Sequence, residues 1–186
     1  MRAPGRPKDS AQTKRRILDA AITEFSAHGL AGARVERITE AAMCNKAMLY
    51  RYFSSKEKLF DAVFDEIVVR TVDTVPMDTD DLPGYAARLF EQHLSAPNIL
   101  RIATWDHLER GGAGMRLATV VEVNRAKVQK IEAAQAAGTV TSRYPAEVIL
   151  HITLALSRPL IGTDATIPAA APSHHIADAV RAALTE

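Results

Sequence analysis

Residues 45–59, Asn-Lys-Ala-Met-Leu-Tyr-Arg-Tyr-Phe-Ser-Ser-Lys-Glu-Lys-Leu, constrain the fold more than any other part of the chain. They read as a short helix carrying Lys, Tyr and Arg, then a tight turn, then a capped helix start. A basic arm, a helix and a second short helix precede them. This is the layout of a helix-turn-helix, whose second short helix lies in a DNA major groove. Asn45 suits the N-cap of that helix. Leu49 and Phe53, four apart, point to the core, while Lys46 and Tyr50 share another stripe. Ser54-x-x-Glu57 reads as a capping box that opens the next helix.

The remaining periodicity is helical throughout. From about Ser10, Ile17, Leu18, Ala21, Ile22 and Phe25 form an apolar face, and Gly29 is expected in αL past the helix end. A short helix over 35–42 follows, with Val35, Ile38 and Ala42 inward, and Met43-Cys44 as the turn. The fourth helix carries Leu59, Phe60, Val63, Phe64, Ile67 and Val68 and stops before Pro76. Residues 73–83 read as an acidic linker. Further helices are expected over 83–95, 97–110, 114–137, 145–159 and 173–185, with a loop over 160–172. The prediction is an all-α chain of about nine helices: a flexible basic arm over 1–9, a helix-turn-helix domain over 10–58, and a helical domain over 59–186.

Charge supports a polyanion at one end. Residues 1–60 hold 12 Lys and Arg against 6 Asp and Glu, whereas residues 61–186 hold 11 against 16. With 47% hydrophobic residues the chain buries a sizeable core. The single cysteine, Cys44, forms no disulfide within the chain and builds no zinc site alone. It reads as a small apolar residue in the turn. No cofactor and no metal are called for; His174-His175 has no further ligand at helical spacing. Without a signal peptide or an apolar run of membrane-spanning length, a cytoplasmic protein that makes no use of the membrane is expected.

Residues 14–59 resemble the TetR (tetracycline-repressor-like) family of bacterial transcription regulators. The matching residues are Arg16-Ile17-Leu18-Asp19-Ala20-Ala21, Phe25, His28-Gly29, Ile38, Ala42, and Leu49-Tyr50-x-Tyr52-Phe53-x-Ser55-Lys56-Glu57-x-Leu59, spaced without a gap. The turn departs from the family pattern: Met43 stands where glycine is usual, Arg34 where a Thr cap is common, and Ala47 where glycine is frequent.

The resemblance implies that the third helix enters the major groove. Lys46 then reaches a guanine edge or a phosphate, and Ala47 and Met48 meet a thymine methyl. Asn45 starts the reading helix. Tyr50 donates to a phosphate, Arg51 reads a base or clamps the backbone, and Lys56 shares a phosphate with a helix N-terminus. Arg34 faces a phosphate, and Arg6, in Gly5-Arg6-Pro7, lies in an A·T-rich minor groove. The family also implies a small-molecule effector, with Phe64, Phe90, His93, Trp105, His107 and Met115 as lining candidates. A homodimer through the last two helices is implied, with Ile149, Thr153, Leu156, Ala177, Val180 and Leu184 in the interface. A twofold dimer predicts a palindromic double-stranded operator.

The function expected is that of a repressor released from its operator by a small molecule. A regulator without such an effector, constitutive or controlled by a protein, is the alternative. An enzyme is disfavoured, because paired catalytic carboxylates, a Gly-rich phosphate loop, His-x-x-x-His spacing and nucleophile motifs are missing. Non-specific DNA compaction is disfavoured by the confinement of basic charge to one end.

Overall fold

The computed structural model describes residues 7–159 and 172–184, with the side chains of residues 7–9 left aside. Arg6 and nearly all of the loop expected over 160–172 lie outside the described residues. Among those described, every regular element is helical: α1 (Pro7–Gly32), α2 (Val35–Ala41), α3 (Lys46–Phe53), α4 (Lys56–Thr74), α5 (Leu82–Ser95), α6 (Asn98–Arg110), a short 3-10 helix (Ala113–Arg116), α7 (Ala118–Ala136), α8 (Ala146–Leu156) and α9 (Ser173–Leu184). The chain divides into two compact units. One runs up to Val68 and adds Asn98–Leu117; the other takes Val69–Pro97 and continues from Ala118.

The first unit is built on the apolar face of α1. Ile17, Leu18, Ala21, Ile22 and Phe25 are buried with Ile38 of α2, Leu49 and Phe53 of α3, and Leu59, Phe60 and Val63 of α4. Phe25 meets Phe60 edge to face, ring centroids 5.0 Å apart, a favoured geometry for the ring quadrupoles. α1 starts at Pro7 rather than Ser10, since proline is accepted in a first helical turn, where its missing N–H has no partner to lose. The helix breaks at Gly29, whose φ is +67° and ψ −174°. The positive φ is as expected, but ψ is extended rather than αL, and one further turn runs on to Gly32.

That extra turn is held by α6. The Glu109 carboxylate accepts from the Leu30 N–H (2.6 Å) and the Ala31 N–H (3.2 Å). Trp105 Nε1 donates to the Ser26 carbonyl at 3.3 Å. A Cβ on Gly29 would stand 2.6 Å from Glu109 Oε1 and 2.8 Å from the Trp105 ring, so glycine is required for space as well as for φ. Further along α6, buried Asp106 accepts from the Gly114 N–H through both carboxylate oxygens, at 3.0 and 2.9 Å. This anchor draws residues 113–116 into a 3-10 turn, so α7 begins at Ala118 and not at 114.

Two turns set the position of α3. α2 closes in a Schellman arrangement: Cys44 N–H donates to Thr39 O and Met43 N–H to Glu40 O, both at 3.0 Å. Met43 occupies the left-handed position, at φ +50°. The second turn differs from the expected capping box. Ser54 takes φ +57°, and its N–H donates to Tyr50 O at 2.8 Å, so it closes α3. Ser55 instead opens α4, its Oγ accepting from Lys58 N–H at 3.1 Å.

In the second unit, Leu82, Ile131, Ala146, Ile149 and Leu150 form one buried cluster, with Val75, Tyr85 and Leu89 in another. Asp81 caps α5 through Gly84 N–H at 2.8 Å, with Pro83 in the first turn. Among the described residues no helix is long and apolar enough to cross a membrane, and no three His, Cys, Asp or Glu side chains gather to hold a metal ion.

Candidate nucleic-acid interface

The short helix α3 is held by local chemistry on all but one side. The Asn45 side chain caps it, Oδ1 accepting from Met48 N–H at 2.8 Å. Leu49 and Phe53 are buried, and the helix packs on α2. The opposite face is solvent-exposed and carries Asn45, Lys46, Ala47, Tyr50 and Arg51, with Met48 half-buried. Tyr50 is 42% exposed although it is a large ring, which leaves its hydroxyl accessible to a partner. Arg51 stacks near Tyr52, its guanidinium carbon 5.5 Å from the ring centroid. The Tyr52 hydroxyl meets Ser10 Oγ at 2.9 Å, tying α3 back to α1.

The cations around this face are unequally engaged. Lys46 pairs with Glu36 of α2, and both side chains remain more than half exposed. The hydrogen bond and charge of Lys46 hold the Glu36 carboxyl below its usual value, and Glu36 in turn raises the Lys46 ammonium. Lys56 is half-buried. Its Nζ donates to the carbonyls of Ala31 (3.4 Å) and Ala33 (3.2 Å), bracing the turn before α2 instead of projecting freely. Arg34 is exposed and caps nothing with its side chain, but its N–H is not lost. It donates to buried Glu24 Oε1 at 2.8 Å.

Glu24 also receives Arg37 Nε at 2.9 and 3.0 Å, and Arg37 Nη2 at 2.7 Å. Burial alone would raise its carboxyl. The Arg37 and Arg34 hydrogen bonds and the Arg37 charge outweigh burial and hold it below 4.5. Glu24 therefore fixes the entry of α2 against α1. Cys44 is half-buried, and burial pushes its thiol up against a smaller opposing effect of Arg16, so it stays protonated. Glu24, Glu36, Arg37 and Glu109 were not singled out in the sequence. Their partners lie 10 to 79 residues away, and nothing in local spacing signals such pairs.

The six candidates for effector lining fall in both units. Phe64 is buried in the first, its ring 2.7 Å from where a Gly114 Cβ would stand. Trp105 is half-buried against α1, while His107 and Met115 are exposed. In the second unit Phe90 is buried, and buried His93 donates from Nδ1 to the Ser157 carbonyl at 2.9 Å. Burial pushes the His93 imidazole below 6.5, which keeps it neutral. Of the six residues expected at a subunit interface, Ile149, Thr153 and Val180 are fully buried within the one chain. Leu184 packs on the Ile149 cluster, Ala177 is half-buried, and Leu156 alone is exposed. The outward stripe of α8 is Val148, His151, Ile152, Ala155 and Leu156, at helical spacing.

A basic, exposed eight-residue helix, capped at its N-terminus and set after a Schellman turn on two packed helices, defines a helix-turn-helix DNA-binding module. Comparison with known proteins gives the same class and extends it over the chain. Residues 17–63 match the model of bacterial regulatory proteins of the tetR family, and residues 81–186 match the tetracyclin repressor-like C-terminal domain. The HTH-type transcriptional repressor SCO4008 of Streptomyces coelicolor is 35% identical over 151 residues, 81% of this chain and 79% of its own. The HTH-type transcriptional repressor NicS of Pseudomonas putida is 31% identical over 57% of this chain and 53% of its own. Among solved structures, SCO4942 of Streptomyces coelicolor superposes with a TM-score of 0.74 at 29% identity, covering 92% of this chain and 97% of that one. The chain belongs to the TetR family and is a DNA-binding transcriptional regulator, in a family of regulators rather than enzymes.

Proposed function

We propose that the protein is a homodimeric repressor that binds a palindromic operator through α3 and leaves it when a small molecule binds the helical C-terminal part. The observation that carries the DNA side is the exposed stripe Lys46, Ala47, Tyr50 and Arg51 on a helix whose other face is fully buried. Lys46 and Arg51 supply donors for guanine edges, Met48 and Ala47 an apolar contact for thymine, and Tyr50 a hydroxyl for phosphate. Asn45 holds the helix start, and Arg34 and Lys56 flank it with positive charge. Arg6 belongs to this proposal as a minor-groove contact.

The dimer is supported by the outward stripe of α8. Val148, Ile152, Ala155 and Leu156 leave apolar surface exposed on a helix whose inner face is already committed to the core. Two α8 and two α9 helices would cover that surface as a four-helix bundle. An effector that prefers the conformer unable to bind DNA lowers the competent fraction in proportion to its differential affinity. Phe64, Phe90, His93, Trp105, His107 and Met115 are the positions to test for it. The names of the relatives, both repressors, support repression as the direction of control.

A footprint on a bound duplex tests the reading. The proposal expects two protected patches about 10–10.5 bp apart on one DNA face. A single patch, or uniform protection along the duplex, would remove the dimeric, palindromic reading.

A further inference from the structure

We propose that Glu36 is a specificity-determining residue that acts through Lys46, by withholding the Lys46 ammonium from the phosphate backbone so that it is used on base edges. The inference rests on reading α3 as the helix that faces DNA.

Three observations lead to it. First, Glu36 lies ten residues before Lys46, on the other helix of the motif, and its Oε1 accepts directly from Lys46 Nζ. Second, both partners are exposed, 63% and 55%, so the pair adds little to holding α2 against α3. At the rim of a surface that meets a polyanion, the carboxylate instead occupies the cation beside it. Two neighbouring cations are fixed elsewhere: Arg37 on Glu24, and Lys56 on the carbonyls of Ala31 and Ala33. Third, Lys46 is the first residue of α3, and the Asn45 cap fixes the backbone beside it. The stem therefore starts from a set position, and the carboxylate selects which way the ammonium points.

The physical consequence is discrimination. An ammonium is a point charge with no directional preference of its own, and a lysine on a DNA-facing helix is drawn to the nearest phosphate, which carries no sequence information. With one N–H held by Glu36, the pair is neutral toward phosphate, while the ammonium keeps two further N–H donors. Guanine O6 and N7 accept from those donors, and the cytosine paired with that guanine presents an N4 donor that a carboxylate accepts. The Lys46–Glu36 couple thus carries one donor and one acceptor, matching the two partners of a G·C pair.

The experiment compares wild type, Glu36→Gln, Lys46→Met and the double variant. Each is titrated with a duplex selected by the wild-type protein and with a duplex of scrambled sequence, over a series of salt concentrations. Thermal melting first establishes that all four are folded. For Glu36→Gln the expected result is several-fold tighter binding of scrambled duplex and a lower ratio of selected to scrambled affinity. The log–log salt slope on scrambled duplex should steepen by about 0.9, the value of one added phosphate contact. In the Lys46→Met background, Glu36→Gln should change none of these. If it tightens scrambled binding equally there, Glu36 acts by direct repulsion of phosphate and the proposal is overturned. An unchanged specificity ratio and salt slope in Glu36→Gln overturn it too. A Lys46→Met variant that binds both duplexes like wild type is a different failure, one that removes the reading of α3 itself.

Discussion

Met43→Gly should stabilise the protein, because Met43 is a non-glycine residue in a left-handed turn. Its φ is +50°, and the two bonds of the Schellman turn, Cys44 N–H to Thr39 O and Met43 N–H to Glu40 O, hold it there. A side chain in this region costs about 1–2 kcal/mol, through the approach of Cβ to the following carbonyl. Glycine removes that cost but widens the unfolded ensemble, returning about 0.4–1 kcal/mol. The methionine side chain is 74% exposed, so its deletion forfeits almost no burial. The net expectation is a gain of about 0.5–1 kcal/mol, or about 1–4 °C in Tm for a chain of this length. Differential scanning calorimetry measures it, with Met43→Ala as the control. Alanine keeps Cβ and hence the strain, and should melt with wild type. If Met43→Gly melts at or below Met43→Ala, the turn is not strained and the reasoning is refuted.

Three further outcomes follow from the contacts described. Glu24→Ala removes the acceptor of the Arg34 N–H and of Arg37, at a cost of about 1–3 kcal/mol, measured by denaturant unfolding. Because the Glu24 carboxyl is held below 4.5, wild type should keep this contribution above about pH 4.5 and lose it as the pH falls further; the variant should lose that part of its acid sensitivity. His93 is neutral in the fold and its imidazole is pushed below 6.5, so the unfolded chain takes up the proton first. Tm should fall as pH drops below 6.5, and His93→Gln should flatten the profile. Leu156→Glu places a charge on the outward stripe of α8 and should give a monomer in analytical ultracentrifugation, while Leu156→Met should not.

Much of the DNA-binding unit was legible because its rules are local. The Asn45 cap, the 3.6-residue spacing of Leu49 and Phe53, and the positive φ at Gly29 each depend on a few neighbours. The one-residue displacement of the α4 cap was not legible. Either serine can cap, and the choice falls to Ser55 because Ser54 takes a left-handed φ to close α3. The start of α7 was missed because Asp106, eight residues before Gly114, pulls the intervening segment into a 3-10 turn.

The outward face of α8 was hidden for another reason. Its residues are apolar almost all round, so periodicity does not say which stripe meets the core, and Ile149 and Thr153 prove to be inside while Val148 and Leu156 lie outside. The cation inventory misled as well: a count of basic residues does not show that Arg37, Lys46 and Lys56 already have partners within the unit.

The central claim is that α3 reads DNA sequence, and selection from random duplex DNA with purified protein, read by sequencing beside Lys46→Ala, tests it most directly. An enriched palindrome with half-sites about one helical turn apart is expected, lost or degraded at a defined position by the variant. No enrichment, or an enriched sequence indifferent to Lys46, would contradict it.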